Sequence, residues 1–262
     1  MARKIEQPTP GATMKPSSAR PHTPNLPDLE GLTPAEIPAR WPADTPLACL
    51  VSGGPGRFAR WSVFAPPVKT IDLTDDAELW ALLDQQPPRP EAHADTPPFQ
   101  GGLIGWIGYG IGARLEPRAG LSPQPEPLAV IADCPDALIH DAATGRWSIV
   151  GDPARLAPVI RAIADGNAAR DFSLGALSSA VGKRAYAEAV GRAVEYIRAG
   201  DVFQVNLAHP LRARFEGSAR ALASTLFAQT GAWFGGMIEL DLDPNPDSPH
   251  AHQRRCVLSV SP

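Results

Sequence analysis

Gln204 and Asn206 are the residues whose types and spacing best suit chemistry in this sequence. They lie in FQVNLA, where Phe203, Val205 and Leu207 alternate with Gln204, Asn206 and Ala208. That period of two predicts a strand with an apolar face and an amide face. Two amides on such a face serve either as a solvated surface or as the floor of a polar pocket. An amide can donate and accept, but it has no accessible pKa, so Gln204 can hold a ligand and cannot act as a base. His140 beside Asp141 has the composition of an acid/base dyad, though a histidine next to a turn aspartate reads first as surface hydrogen bonding. His250, His252 and Cys256 have metal-ligating types, but the histidines fall in the polar stretch 243–255 with no structured fourth ligand, so no metal site is expected there. Gly101, Gly102, Gly105, Gly108, Gly110 and Gly112 crowd one segment. Neither GxGxxG nor GxxxxGK can be laid on them, so the segment is expected to be a strand whose glycines allow close packing, with Trp106 and Tyr109 filling the room.

These residues need elements to position them. Ahead of Gln204, Tyr186, Ala189, Val190, Ala193, Val194 and Ile197 recur at helical spacing, with Glu188 and Arg192 paired on the outer side. Gly200 supplies the stop. A hairpin is expected from residues 47–52 and 58–65, joined by GGPGR. Short strands follow at 128–133, 137–140 and 147–150, with DAATG as a turn. Helices are expected at 75–83, at 153–164 with Leu156, Val159, Ile160 and Ile163 inward, and at 218–229; residues 233–242 and 256–262 read as paired strands. Residues 167–179 read as a linker.

Composition narrows the function. At 262 residues, with 44% hydrophobic and 20% charged content, the chain can bury a substantial core. A net charge of −4 without any basic run argues against nucleic acid as a partner. No apolar run approaches the roughly 18 residues a membrane span needs, and none resembles a signal peptide, so a cytoplasmic protein with no membrane partner is expected. Three widely spaced cysteines without a CxxC do not make a disulfide frame or a zinc site. The chain has thirty prolines, and many of them fall in two stretches, residues 1–35 and 86–98. The first is expected to be disordered, and the domain reading is a Pro-rich arm over 1–40, an N-terminal region over 41–170, and a second region over 171–262.

Four segments, in order, resemble the component I proteins of the chorismate-binding family, namely aminodeoxychorismate synthase and anthranilate synthase. They are the hairpin with Ser52 and Arg60-Trp61, the segment PPFQGGLIGWIGYG, the segment IRAGDVFQVNLA, and the closing CVLSVSP. QVNLA is closer to the aminodeoxychorismate branch, since anthranilate synthases more often have QVVPS. Gly110 stands where the family usually has an aspartate. The resemblance implies an α+β fold, a component I-type (anthranilate synthase-like) antiparallel β-sandwich with flanking helices, incomplete at the C-terminus. It implies amination of chorismate with ammonia from a glutamine amidotransferase subunit, in the folate (para-aminobenzoate) pathway, with Mg²⁺ as cofactor. The family's catalytic glutamate, lysine and Mg²⁺ ligands would follow Pro262, so no catalytic residue is expected in this chain and the chain alone is expected to be inactive.

The resemblance also assigns residues. Gln204 and Asn206 become substrate-pocket residues, and Gln204 matches a position that is lysine where the family activates water. Ser52, Phe58, Arg60, Trp61, Trp233, Phe234 and Gly235 become a candidate pocket for tryptophan, although the family's proline is replaced by Trp233. The alternatives are anthranilate synthase component I and a non-catalytic module that binds tryptophan or the amidotransferase.

Overall fold

Five of the strands alternate or bury both faces, and their ends coincide with turns that glycine or proline can close. The computed structural model describes residues 26–54, 56, 58–86, 96–120, 128–169, 171–240 and 255–261. In chain order the elements are α1 (Ile37–Arg40), β1 (Ala48–Val51), β2 (Trp61–Ala65), β3 (Lys69–Leu73), α2 (Asp76–Asp84), β4 (Gly102–Ile107) and α3 (Gly112–Leu115). There follow β5 (Ala129–Cys134), β6 (Ala137–Asp141), β7 (Arg146–Val150), α4 (Pro153–Asp165), β8 (Phe172–Leu174), β9 (Ser178–Ser179) and α5 (Lys183–Ala199). The last are β10 (Leu211–Arg212), β11 (Phe215–Gly217), α6 (Ala219–Thr230), β12 (Phe234–Leu240) and β13 (Arg255–Ser261). The fold is thus mixed helix and sheet, and the sheets are antiparallel.

The chain divides into two units, Met1–Ala168 with Ala223–Pro262, and Ala169–Leu222. The first contains a six-stranded sheet in the order β13-β12-β1-β2-β6-β7 and a three-stranded sheet β3-β5-β4. Ala48, Val63, Ala65, Ala137, Ile139, Val150 and Ile238 from the larger sheet share one core cluster with Ile104, Ala132 and Cys134 from the smaller. A second cluster joins Leu73, Ala129 and Ile131 to Leu79 of α2. Gly105 belongs to this packing, because a Cβ there would stand 2.5 Å from Ile131 Cδ1. Trp106 fills the room as expected, whereas Tyr109 is 90% exposed and does not.

Helix α4 forms because Asp152 caps it, accepting from the Ala154 N–H at 2.9 Å, Pro153 opens it, and Gly166 closes it at φ 76. Its buried residues are Leu156, Val159, Ile160 and Ile163, the stripe read from the sequence. Residues 27–40, which the sequence reading gave to a Pro-rich, disordered arm, instead place Leu29 and Ile37 in the core. Sparse but well-placed apolar residues decided this, because each buries a full side chain against α4 and its neighbours. Residues 1–25 and most of the 86–98 loop lie outside the described residues.

The second unit holds α5 and two small sheets, β9 with β10 and β8 with β11. Strands β8 and β9 correct the expected linker at 167–179. Helix α5 ends where expected, with Gly200 at φ 83. Its Glu188 pairs with Arg184 at 3.3 Å, not with the expected Arg192. The expected strand over 203–208 is not formed. Alternation gives a segment two faces, but only a ladder partner satisfies its backbone, and among the described residues no strand pairs with it.

Candidate functional site

The hairpin β1–β2 and the start of β12 bring together most of the residues singled out above. Val51 pairs with Gly235, so the residue after β1 meets the start of β12. Gly53 N–H donates to Ala232 O at 2.7 Å and locks the hairpin loop to this neighbour. The approach is close enough to require glycine: a Cβ on Gly54 (φ +78) would stand 2.6 Å from Gly231 O. The loop end carries Phe58, whose ring lies 5.9 Å from Trp233 and 6.5 Å from Phe234. All three rings are part-exposed, at 51%, 37% and 56%. Gly235 faces inward instead, where a Cβ would stand 2.9 Å from the Phe227 ring.

Ser52 is held through its backbone N–H and Arg60 through its guanidinium. Ser52 N–H donates to Ser62 Oγ at 3.0 Å, which ties the two strands at the mouth of the hairpin. The Arg60 guanidinium donates through Nε to Asp141 Oδ1 at 2.8 Å and through Nη2 to Oδ2 at 3.0 Å. The same group lies over the Trp61 ring, 4.5 Å from its centre. A planar fork matched to a carboxylate and stacked on an aromatic face is a geometry lysine could not copy. Asp141 was missed as a partner because it stands 81 residues from Arg60. The one signal was an aspartate opening a turn, and that also holds: Ala143 N–H donates to Asp141 Oδ1 at 3.0 Å.

His140 is not at the surface as the sequence suggested. It is 9% exposed, with its ring 4.6 Å from Trp147, and its Nδ1 meets no hydrogen-bond partner among the described residues. Burial pushes its pKa below the ordinary 6.5, with the Asp141 charge acting the other way. Hydrogen bonding to Arg60 holds Asp141 below its ordinary value, opposed by burial. Both shifts have the same sign for folding, since the unfolded chain binds protons at pH values where the folded chain does not. Stability is therefore expected to fall as pH drops from about 6.5 through the folded His140 pKa, and further below the carboxylate range. Thermal midpoints across acid pH check this, and His140→Phe should flatten the upper part of the loss; an unchanged profile in the variant would assign the loss elsewhere.

Gln204 and Asn206 belong to the second unit, where both are exposed in a segment without regular structure. Their neighbours Phe203 and Val205 are 93% and 42% exposed. Cys256 lies in β13, and His250 and His252 fall outside the described residues. Among the described residues no group of three or more His, Cys, Asp or Glu is placed to hold a metal ion, so the residues described offer Mg²⁺ no ligand set. No helix of the described residues is long and apolar enough to cross a membrane.

The sequence pattern of a family described as chorismate binding enzyme matches residues 48–262. Aminodeoxychorismate synthase component 1 of Escherichia coli K12 is 29% identical over 222 residues, covering 78% of this chain and 44% of that protein. Anthranilate synthase component 1 of Thermus thermophilus is 34% identical over 161 residues, covering 51% of this chain and 33% of that protein. The crystal structure of anthranilate synthase component I from Streptococcus pneumoniae is similar at a TM-score of 0.51 and 18% identity, covering 71% of this chain and 51% of that one, a likeness of fold. The chain spans about half the length, or less, of these relatives.

Proposed function

This chain belongs to the chorismate-binding enzyme family, and on that premise we propose that it works as part of an aminodeoxychorismate synthase component I. In this reading it takes part in aminating chorismate, with ammonia delivered by a glutamine amidotransferase partner, in the cytoplasm. The observation that carries the reading is the similarity to the Escherichia coli enzyme over 78% of the chain. Gln204 sharpens it. Ammonia is a nucleophile as the free base, whereas water needs a base to remove its proton, and an amide cannot serve as one. What Gln204 and Asn206 can do is donate to and accept from a bound substrate, and orient it for attack. Mg²⁺ belongs to the proposal as the cation that would offset the substrate's carboxylate charge, with its ligands outside this chain. The fold proposed with this function is the family's antiparallel β-sandwich, and the core cluster shared by the two sheets supports it.

The similarity to the Thermus thermophilus anthranilate synthase, at 34% identity, favours the second reading. Product identification separates the two. The protein encoded by the complete reading frame is incubated with chorismate, Mg²⁺ and ammonium ion. Aminodeoxychorismate, which keeps the enolpyruvyl group, is expected. Anthranilate with released pyruvate would give the second reading, and a hydroxylated product would sink both.

A further inference from the structure

Gln204 and Asn206 sit in a segment that no strand pairs with among the described residues, yet both of its ends are fastened to α5. The near end is the helix cap, where Gly200 N–H donates to Ile197 O at 3.1 Å and Asp201 N–H to Tyr196 O at 3.0 Å. The far end is His209. Its ring stacks on that of Tyr186 in the first turn of α5, with centres 4.8 Å apart and planes 23° from parallel. Its Nε2 lies 2.8 Å from Ser179 Oγ on β9. The Ser179 hydroxyl donates its proton to Val181 O, so the bond to His209 is one that Nε2–H donates. That polarity is the reverse of a nucleophile facing its base, and it leaves the pair as an anchor.

The anchor sets the course of the segment. Tyr186 and Gly200 are fourteen residues apart along α5, a distance of about 21 Å in a helix. The nine residues from Gly200 to His209 reach roughly 30 Å when fully extended. The chain must therefore return alongside α5 about two-thirds extended, which leaves residues 203–208 little freedom to swing away. Backbone pairing alone would not fix that course. Pro210 has no N–H to give, and β9 and β10 share two residue pairs, Leu211 with Ser179 and Arg212 with Ser178. One more backbone bond, from Ala180 N–H to Pro210 O at 3.3 Å, extends this short ladder. So brief a pairing is marginal without side-chain contacts. We infer that His209 is a positioning residue: clasped between Tyr186 and Ser179, it holds the stretch bearing Gln204 and Asn206 on a fixed course, so that both amides meet the substrate in a set orientation. The inference rests on the reading of Gln204 and Asn206 as substrate-binding amides and adds to it a residue outside their motif.

Three variants separate the parts. His209→Phe keeps the stack and loses the hydrogen bond, His209→Gln keeps a hydrogen-bonding group and loses the stack, and His209→Ala loses both. Chymotrypsin cleavage after Phe203, which is 93% exposed within the segment, reports the segment's freedom in this chain. His209→Ala should be cut there about five-fold faster, with cleavage after the comparably exposed Tyr109 unchanged. The other two variants should fall between. In the protein encoded by the complete reading frame, His209→Ala should raise the chorismate KM about ten-fold. Its kcat, its KM for ammonium ion and its thermal midpoint should stay near the wild-type values, and His209→Gln should recover part of the loss. Equal cleavage after Phe203 in the wild type and His209→Ala overturns the inference, as does an active enzyme whose chorismate KM is indifferent to the substitution. A lowered thermal midpoint that accounts for both effects overturns it too, since His209 would then be structural. A complete protein that never turns over chorismate would instead remove the functional reading, and the faster cleavage would still support the clasp.

Discussion

Replacing Gly151 by alanine should destabilise this protein by about 3 kcal/mol or more. Gly151 sits at φ +88, a region where a side chain alone costs about 1–2 kcal/mol. Space then decides the rest. A Cβ would stand 2.6 Å from Pro135 O and 2.9 Å from Asp136 Cα, and would also meet the Asp136 carboxylate. That carboxylate cannot give way cheaply. Asp136 is 1% exposed, accepts from the Asp152 N–H at 2.7 Å, and pairs with Arg155 at 3.0 Å. Moving it would strip a buried charge of its partners and loosen the first turn of α4, whose cap is Asp152. Urea denaturation measures the effect, with Gly145→Ala as the comparison. Gly145 has φ +67 but nothing within 4 Å of a Cβ, so it should lose only the conformational part. Equal losses at the two positions would show that the contact with Asp136 carries no weight.

Phe64→Ala should cost about 3–5 kcal/mol, the range for truncating a fully buried aromatic ring. Phe64 is 0% exposed in β2, paired with Cys49 of β1 and Leu138 of β6, and its ring lies 6.0 Å from Trp147. It therefore sits at the crossing of three strands that also carry Ser62, Arg60 and Asp141 to the hairpin mouth. The loss should appear as a lower denaturation midpoint. In addition, the fluorescence of the hairpin tryptophans should change before global unfolding if the strands loosen first. Leu50→Ala on β1 provides the contrast, since Leu50 is 45% exposed and a smaller share of its side chain is buried than in the fully buried Phe64. A Phe64 variant as stable as the Leu50 variant would mean that this face of the sheet is not packed as described.

The two substitutions probe features of different visibility. Phe64 could be marked as core from the apolar run VFA in WSVFA, the local text of a strand buried on both faces. Nothing local marks Gly151, whose requirement comes from a carboxylate 15 positions earlier. The hairpin site divides in the same manner. Ser52, Arg60 and Trp61 were found through their resemblance to known segments, while the partner of Arg60 was not. Asp141 was weighed only as the start of a turn and against its neighbour His140, and His140 turned out to be buried against Trp147. The segment 203–208 shows the opposite error: its alternation is real, but its strand is absent.

The ends of α4 and α5 and the buried face of α4 were determined by the amino-acid sequence alone, whereas the apolar stripe of α5 has no buried residue. Caps such as Asp152 and Gly200 and periods of two or 3.6 act within a few residues, and short-range physics can be read from short-range text. The tertiary structure decided what each exposed backbone and each charge would meet. It gave Arg60 its carboxylate, brought Gly54 against Gly231, drew Leu29 and Ile37 into the core, and left residues 203–208 without a ladder among the described residues. Those outcomes depend on groups far apart along the chain, whose meeting is set by chain closure and packing and leaves no local mark.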